Sequence, residues 1–224
     1  TKKISPGAGG AHNWQPMSYS PLTGLVYIPA KQQPFIYRLN TEYERRSIGF
    51  NHGVNNWDPF DEVAELAPEF GADDQGHLLA WDPIAQEEVW RVSHSVSENG
   101  GVLSTAGNLV FQGNADGKLA AYTADSGQKL WSTNTQTGVL APPVTYAVDG
   151  EQYVAVVVGW GAVFANASGA LLNPEGDKRN ISRILAYKIG GTAELPPIPV
   201  AAALPLPPAD FGSDFSGPER NHAH

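Results

Sequence analysis

Residues that commonly carry catalysis or bind metals are few and scattered in this sequence. Cysteine is absent, which excludes thiol nucleophiles, disulfides, cysteine-ligated zinc and the attachment of c-type haem within the chain. His52, His77 and His94 lack the spacing of metal-ligand sets, so we expect structural or surface roles for them. His222 and His224 are separated by one residue and could bind metal weakly. The sequence by itself contains no complete acid/base or metal-binding constellation.

The charge balance narrows the range of partners. The 224 residues include 14 Lys and Arg against 23 Asp and Glu, which gives a formal charge of −9 and an isoelectric point of about 5.0. Such a surface repels nucleic acid phosphates and anionic lipid headgroups. No window contains the roughly 18 consecutive apolar residues of a membrane span, and the first residues lack the apolar core of a signal peptide. We therefore expect neither a nucleic acid partner nor a membrane span.

Short strand signals recur along the chain and predict an all-β fold. Gly and Pro number 24 and 18, and aromatic residues are plentiful, a balance typical of many short strands joined by turns. Residues 61–70 have the best helical pattern, but Pro68 interrupts it, so we expect a surface insertion there. The predicted strands lie at residues 25–29, 78–81, 109–112, 118–122, 153–158 and 184–187.

An internal repeat indicates how these strands are organised. Residues 76–90 (GHLLAWDPIAQEEVW) align without a gap on residues 117–131 (GKLAAYTADSGQKLW), at an offset of 41 residues. A period of about 40–50 residues is typical of one four-stranded blade of a β-propeller. Partial copies at residues 21–27 and 183–188 support the repeat. We therefore predict β-propeller blades, each a four-stranded antiparallel sheet.

The repeat also assigns structural roles to particular residues. Trp90 and Trp131 close the two copies, and we expect both to be buried at equivalent positions as apolar plates against neighbouring blades. Gly127 is expected to supply the turn before the last strand of its copy, because that turn needs a residue tolerant of positive φ.

The composition changes after the last repeat. Six prolines lie between residues 194 and 208, so this stretch is expected to be an extended linker rather than part of a sheet. We expect residues 1–193 to form the propeller blades, and residues 194–224 to form a Pro-rich linker and flexible tail. The blade region holds about four periods. This number fits either a small propeller or part of a larger one. The start of the chain at Thr1 without a signal segment favours the second expectation.

Several motifs follow one another along the chain: residues 9–18 (GGAHNWQPMS), 23–29 (TGLVYIP), 99–113 (NGGVLSTAGNLVFQG), 115–119 (ADGKL), 127–131 (GQKLW), 141–146 (APPVTY), 150–155 (GEQYVA) and 158–161 (VGWG). In this order they resemble the C-terminal half of the propeller of pyrroloquinoline quinone (PQQ)-dependent alcohol dehydrogenases, over roughly residues 7–193. The Pro-rich segment is similar to the linker that leads to a cytochrome c domain in the quinohaemoprotein members. This chain has no Cys with which to bind haem.

The resemblance implies an eight-bladed propeller with PQQ on its axis and a calcium ion beside the quinone. It implies oxidation of alcohols, with a carboxylate taking the alcohol proton as hydride passes to PQQ. The catalytic aspartate and the calcium ligands of the family lie upstream of these motifs, so no catalytic or metal-binding residue is expected in this chain. It further implies a periplasmic location. The implied partners are a small alcohol, the N-terminal half of the propeller or a second copy, and a cytochrome c domain or subunit.

Four residues match cofactor contacts of the family. Asn13 and Trp14 match an Asn-Trp pair that touches the quinone, where an amide can donate a hydrogen bond and the neighbouring residue lines the pocket. Trp160 and Gly161 match a Gly-Trp-Gly segment near the cofactor, in which the glycines allow close backbone approach to a flat ring. Structural alternatives remain for each segment: Trp14 as a buried blade residue with Asn13 capping a turn, and Trp160 as an aromatic between blades.

Glu98 departs from the family pattern. Relatives usually carry Trp immediately before the Asn-Gly-Gly motif, whereas this chain has Glu98 there, and a buried unpaired carboxylate is costly. Glu98 either faces solvent, or the local chain path differs, or the chain is a degenerate member. The last option supports a second hypothesis, in which the chain is a non-catalytic propeller that serves as a protein-binding scaffold.

Overall fold

The computed structural model describes residues 2–7, 9–32, 35–45, 47, 53–55, 75–161 and 180–198. Every regular element in these ranges is a β-strand, and all strand pairs within the sheets are antiparallel. The predicted all-β fold is therefore confirmed. The surface insertion expected at residues 61–70 lies outside the described residues. The described part of the chain contains no helix long and apolar enough to cross a membrane.

The strands of the described ranges form three successive blades and one small sheet. Blade I contains β2 (Ser18–Ser20), β3 (Leu25–Gln32), β6 (Gln75–Asp82) and β7 (Glu87–Ser93). Blade II contains β8 (Asn99–Ser104), β9 (Leu109–Asn114), β10 (Lys118–Thr123) and β11 (Lys129–Asn134). Blade III contains β12 (Val144–Val148), β13 (Glu151–Val158) and β14 (Arg183–Tyr187). The small sheet contains β1 (Lys2–Ile4), β4 (Phe35–Leu39) and β5 (Val54–Asn55).

Apolar side chains fill the spaces between successive blades. One core cluster joins blades I and II and includes Tyr27, Leu78 and Val110, all fully buried. A second joins blades II and III through Leu119 and Val158, which are also fully buried. Because each cluster draws residues from two neighbouring sheets, burial of apolar area holds the blades face to face.

The first strands of the three blades converge at Gly101. The amide of Val102 in β8 donates to the carbonyl of Pro16, just before β2, at 2.9 Å. A Cβ atom added to Gly101 would lie 2.7 Å from Cδ of Pro16 and 2.8 Å from Cβ of Pro142, which precedes β12. Only a residue without a side chain fits between these two prolines. The blades therefore meet at their first strands, as in a propeller.

The predicted repeat is visible in the strand pairing. Ala80 pairs with Trp90 and Ala121 pairs with Trp131, and in each blade the pairing register shifts directly after the alanine. The turn of the second copy places Gly127 at φ 68°, as the sequence predicts. The equivalent residue in the first copy, Gln86, has φ 59°. The two copies thus share register, irregularity and turn geometry.

The predicted burial of the two tryptophans is only partly correct. Trp90 is half-buried, since its ring covers Gly127 and its Nε1 donates to the carbonyl of Ala124 in blade II at 3.2 Å. Trp131 is 38 % exposed, and the prediction of its burial is wrong. Its ring meets the ring of Tyr187 in blade III edge-on, with 5.3 Å between the centroids. An edge contact covers less of an indole than a turn lying flat against it.

Replacing Gly127 with Ala tests how Trp90 holds blades I and II together. A Cβ atom at Gly127 would lie 2.6 Å from the Trp90 ring, in addition to the strain of a positive φ. Gly150 is the matched control, because it has φ 81° and no atom within 4 Å of an added Cβ. We expect G127A to lower the free energy of unfolding by about 1–3 kcal/mol more than G150A does, measured by urea denaturation. Equal effects of the two substitutions would show that Trp90 is not docked on the turn.

Candidate cofactor site

The Asn13 and Trp14 segment lies before β2 and is fixed to the end of β3. The carbonyl of Pro29 accepts a hydrogen bond from Nδ1 of His12 at 2.8 Å, and the amide of Lys31 donates to the carbonyl of Ala11 at 2.8 Å. Trp14 is 57 % exposed, so the alternative in which it is a buried blade residue is wrong. A backbone held at two points therefore presents an open indole surface to any ligand at this end of blade I.

The amide of Asn13 keeps part of its hydrogen-bonding capacity. Its Nδ2 donates to the carbonyl of Gly9 at 3.2 Å, which agrees with the predicted alternative of a local turn contact. An Asn amide has a second N–H and a carbonyl oxygen. The side chain is exposed, so both of these groups can reach a ligand while the turn contact is kept.

Trp160 and Gly161 follow β13. Trp160 Nε1 donates to the carbonyl of Ala115 at 2.9 Å, and its backbone amide donates to Oδ1 of Asn180 at 2.6 Å. The ring packs beside Leu140 between blades II and III, as the alternative of an inter-blade aromatic predicts. The backbone carbonyl of Trp160 accepts from Nδ2 of Asn180 at 2.7 Å. Since both N–H groups and the carbonyl are engaged, Trp160 can offer a cofactor only its ring. Gly161 is exposed, with no atom within 4 Å of an added Cβ.

Both segments lie at the same end of the three blades. In blade II this end is marked by the pairing of Asn99 with Asn114, and in blade III by the end of β13, which pairs with the start of β14. Hydrogen bonds join these ends of the blades. Lys31 of blade I donates to Glu98, which directly precedes blade II, and Trp160, which follows β13 of blade III, donates to Ala115 of blade II. Contact of Asn13, Trp14, Trp160 and Gly161 with a cofactor stays a prediction.

Glu98 is buried and paired. Its carboxylate lies 2.5 Å from Nζ of Lys31, and the two side chains are 11 % and 10 % exposed. Glu98 therefore does not face solvent, and the cost of burying its charge is offset by an equally buried partner. Sequence reasoning missed Lys31, because the two residues are 67 positions apart and no local pattern links them.

A chain of buried amides fixes the protonation of His94, which follows β7. Asn99 Nδ2 donates to the carbonyl of Ala30 at 2.9 Å, so Asn99 Oδ1 accepts from Gln112 Nε2 at 3.3 Å. Gln112 Nε2 also donates to the carbonyl of Gly100, which leaves Gln112 Oε1 to accept from His94 Nε2 at 2.8 Å. Burial lowers the pKa of His94 and outweighs the opposing effect of the Gln112 bond. The imidazole is therefore neutral, with its proton on Nε2.

A cavity of about 240 Å³ lies beside His94, between blades I and II. Its polar wall includes Asp116, whose Oδ2 accepts from Ser95 Oγ at 3.0 Å and from Lys118 Nζ at 3.1 Å. The four predicted cofactor residues are not among those that line it. Within the described ranges, no group of three or more His, Cys, Asp or Glu side chains is placed to hold a metal ion.

The neutral state of His94 makes stability depend on pH. In the unfolded chain His94 has an ordinary pKa near 6.5, whereas in the folded chain it is lower. As the pH falls below 6.5, His94 therefore binds a proton in the unfolded chain but stays neutral in the folded chain. The free energy of unfolding decreases as a result. We expect His94→Gln to show a smaller decrease in unfolding free energy between pH 7.5 and 5 than the parent chain.

His77 contributes to the same window, because burial also lowers its pKa. The difference between the parent chain and His94→Gln isolates the part due to His94, measured by urea denaturation at each pH. Parallel profiles for the two proteins would contradict a buried neutral His94.

Comparison with known proteins shows what this chain is similar to. Residues 68–154 match the family model for the PQQ glucose/ethanol/alcohol dehydrogenase β-propeller domain. The quinohaemoprotein alcohol dehydrogenase ADH-IIG of Pseudomonas putida is 45 % identical over 213 residues, which cover 92 % of this chain and 29 % of that protein. The dehydrogenase subunit of the alcohol dehydrogenase (quinone) of Acetobacter aceti is 40 % identical over 215 residues, covering 92 % of this chain and 28 % of that subunit.

Solved structures agree. The structure of ADH-IIG matches with a TM-score of 0.77 at 45 % identity, covering 89 % of this chain and 30 % of that one. The quinohaemoprotein alcohol dehydrogenase of Comamonas testosteroni matches with a TM-score of 0.71 at 39 % identity, covering 88 % and 29 %. The chain thus spans less than a third of the length of these relatives. The resemblance predicted from the sequence is confirmed: most of this chain is similar to part of the β-propeller of PQQ-dependent alcohol dehydrogenases.

Proposed function

We propose that this chain supplies one wall of the cofactor site of a PQQ- and calcium-dependent alcohol dehydrogenase that oxidises alcohols to aldehydes in the periplasm. The observation that carries the proposal is the position of two motif segments. The segment of Asn13 and Trp14 and the segment of Trp160 and Gly161 are distant in sequence, yet they lie at one end of three joined blades. The family match and this shared end support the same assignment.

The residues present at this end fit part of a PQQ site. PQQ is a flat, anionic ring system, so its site needs planar apolar surfaces and hydrogen-bond donors. Trp14 offers an exposed indole and Asn13 an exposed amide. When bound, PQQ supplies the acceptor for the hydride of the alcohol. The positioned base and the calcium ligands are assigned to the rest of the enzyme, as the family resemblance implies.

Each of the four residues has a proposed task. Asn13 donates its amide N–H to an oxygen of the cofactor and so fixes its orientation in the plane. Trp14 excludes water from the ring face, which strengthens that hydrogen bond. Trp160 contacts the cofactor with its ring, on the blade III side of the site. Its N–H groups are not available for this, because they donate to Ala115 and Asn180. Gly161 leaves room for the cofactor to approach the backbone.

The outer face of blade III is proposed as the surface that meets the rest of the propeller. By strand register, one face carries Val144, Tyr146 and Val148 of β12 together with Val157 and Ile184 of the neighbouring strands. These five side chains are 41–76 % exposed. The opposite face of this sheet packs on blade II. Because blades in this chain pack face to face, the partner that fits is another blade, from the N-terminal half of the propeller or from a second copy.

The segment after the blades is proposed to lead to an electron-accepting cytochrome c domain or subunit. Its first residues are not strand-forming, and Leu195 packs against the core between blades II and III. The carbonyl of Pro196 also accepts from Nε2 of Gln136 at 3.1 Å. We therefore propose that residues 1–193 form the blades and residues 194–224 form the linker and tail. The contacts of Leu195 and Pro196 anchor the start of the linker.

A non-catalytic scaffold is the second candidate function. The observation that favours it is the buried charged pair of Glu98 with Lys31, at a position where the sequence resemblance implies an apolar Trp. PQQ binding separates the two candidates, because a scaffold has no need of the quinone.

Dye reduction with ethanol and longer primary alcohols tests the proposed activity. With PQQ and calcium added, we expect no turnover by this chain alone, because hydride transfer needs a base and a Lewis acid that the resemblance assigns to the rest of the enzyme. Turnover is expected when it is combined with the N-terminal propeller part of ADH-IIG. In that assembly Asn13→Ala should weaken PQQ binding by about tenfold or more, from the loss of a hydrogen bond in the site.

Asn40→Ala is the matched control, since Asn40 follows β4 of the small sheet, outside both predicted segments, and caps a turn by accepting from the amide of Glu42. Alcohol oxidation by the isolated chain would overturn the assignment of the base elsewhere. Equal PQQ affinity of the Asn13 and Asn40 variants would remove Asn13 from the site.

Val157→Glu tests the outer face of blade III. Val157 is 53 % exposed on β13, the middle strand of that face, so a charge there should be buried without a partner when another blade packs on it. We expect the parent chain to self-associate and Val157→Glu to weaken this by about tenfold or more, measured by analytical ultracentrifugation.

Val89→Glu is the control, because Val89 has a similar exposure of 47 % but lies on blade I. A parent chain that stays monomeric at high concentration, or equal effects of the two substitutions, would contradict the proposed surface.

A further inference from the structure

We infer that the buried pair of Lys31 and Glu98 is a positioning pair that couples the Asn13 segment to Trp160, across all three blades. The inference concerns residues of this chain for which neither the family motifs nor the predicted site assigns a role. It rests on the proposed function only in what the coupling is for, namely to hold the two walls of a cofactor site at a fixed spacing.

The pair itself joins blade I to blade II. Lys31 lies near the end of β3, and Glu98 directly precedes β8. Their side chains are about nine-tenths buried and meet at 2.5 Å. A charge so far from water is unstable without its partner, so each side chain restricts where the other can be. The distance between the end of β3 and the start of β8 is therefore fixed.

On the Lys31 side, the pair is connected to the Asn13 segment through the backbone. The amide of Lys31 donates to the carbonyl of Ala11 at 2.8 Å. Two residues earlier in β3, the carbonyl of Pro29 accepts from His12 Nδ1 at 2.8 Å. Any displacement of the end of β3 thus moves Ala11 and His12, and with them the neighbouring Asn13.

On the Glu98 side, the pair is connected to Trp160 through one fully buried residue. The carbonyl of Glu98 accepts from the amide of Ala115 at 3.1 Å. The carbonyl of Ala115 in turn accepts from Nε1 of Trp160 at 2.9 Å. Ala115 therefore transmits the position of Glu98 directly to the indole of Trp160.

The ion pair is the one link in this path that joins two side chains. The path runs from Ala11 to Lys31, Glu98, Ala115 and Trp160, and its other links each use at least one backbone group. A substitution at Glu98 or Lys31 therefore interrupts the path without altering the backbone pairing of any sheet.

The blades have other contacts that should survive such a substitution. Nδ2 of Asn99 donates to the carbonyl of Ala30 at 2.9 Å, next to the ion pair, and the first core cluster lies between the same two blades. Loss of the pair is therefore expected to loosen the cofactor end locally, and to leave blades I and II docked. This local effect separates a positioning role from a purely structural one.

Hydrogen exchange in Glu98→Gln, followed by NMR, tests the coupling without any cofactor. We expect exchange to become at least about tenfold faster at the amides of Lys31 and Ala115 and at the indole N–H of Trp160. The amides of Gly127 and Thr135, which are bonded within blade II, should be unchanged. The matched control is Glu88→Gln, because Glu88 pairs with Arg91 on an exposed surface.

A second variant covers the case in which Glu98→Gln fails to fold with Lys31 left unpaired. The double variant K31M/E98Q removes both charges, so it should fold and show the same three faster exchange rates. Lys31→Arg keeps the charge and should restore slow exchange at the Trp160 indole relative to Lys31→Met. Unchanged exchange at Trp160 in the folded double variant, or uniform acceleration that includes Gly127 and Thr135, would overturn the coupling.

A PQQ titration of the chain assembled with the rest of the propeller distinguishes this inference from the proposed function. There Glu98→Gln should weaken PQQ binding by about tenfold while Glu88→Gln has no effect. Failure of the parent assembly to bind PQQ would contradict the proposed function, and the exchange rates would still decide the coupling. Equal PQQ affinity of the parent and Glu98→Gln, with PQQ bound, would contradict the positioning role.

Discussion

The close approach of the first strands at Gly101 is the constraint on which the rest of the structure depends. An added Cβ there would collide with Pro16 on one side and with Pro142 on the other. The segments that precede β2 and β12 are therefore drawn against β8, while the later strands of each blade spread apart. Apolar clusters fill the spaces between the spreading sheets. Because the antiparallel blades share one orientation, the segments before their first strands gather at the same end as the end of β13, and this is where the two predicted cofactor segments lie.

The buried polar side chains at this end bond to one another in connected groups, so that each has a partner. Lys31 and Glu98 neutralise each other. The side-chain amides of Asn99 and Gln112 are hydrogen-bonded to each other, and Gln112 accepts from a neutral His94. A low-dielectric interior strengthens such bonds and penalises any member left alone. These paired groups therefore hold this end of blades I and II together, as the proposed site for a flat ligand between blades requires.

Local patterns allowed much of the fold to be predicted from the sequence. The 41-residue offset corresponds to matching pairs, Ala80 with Trp90 and Ala121 with Trp131, and the need for positive φ identified Gly127. The exposure of Trp131 depends on the shape of blade III, which no pattern around Trp131 encodes. The site was only partly predictable. Motifs predict Asn13 and Trp160 as cofactor contacts, which stays a prediction, whereas the partner of Glu98 lies 67 residues away and is known only from the fold.

We propose that Trp14 and Trp160 face one bound PQQ, and fluorine NMR tests this arrangement most directly. The six tryptophans, labelled as 5-fluorotryptophan in the chain assembled with the rest of the propeller, give separate probes of each ring. The account predicts that PQQ shifts the signals of Trp14 and Trp160 and leaves those of Trp90 and Trp131 unchanged. Saturating PQQ that shifts neither Trp14 nor Trp160, or that shifts Trp90 and Trp131 instead, would contradict it.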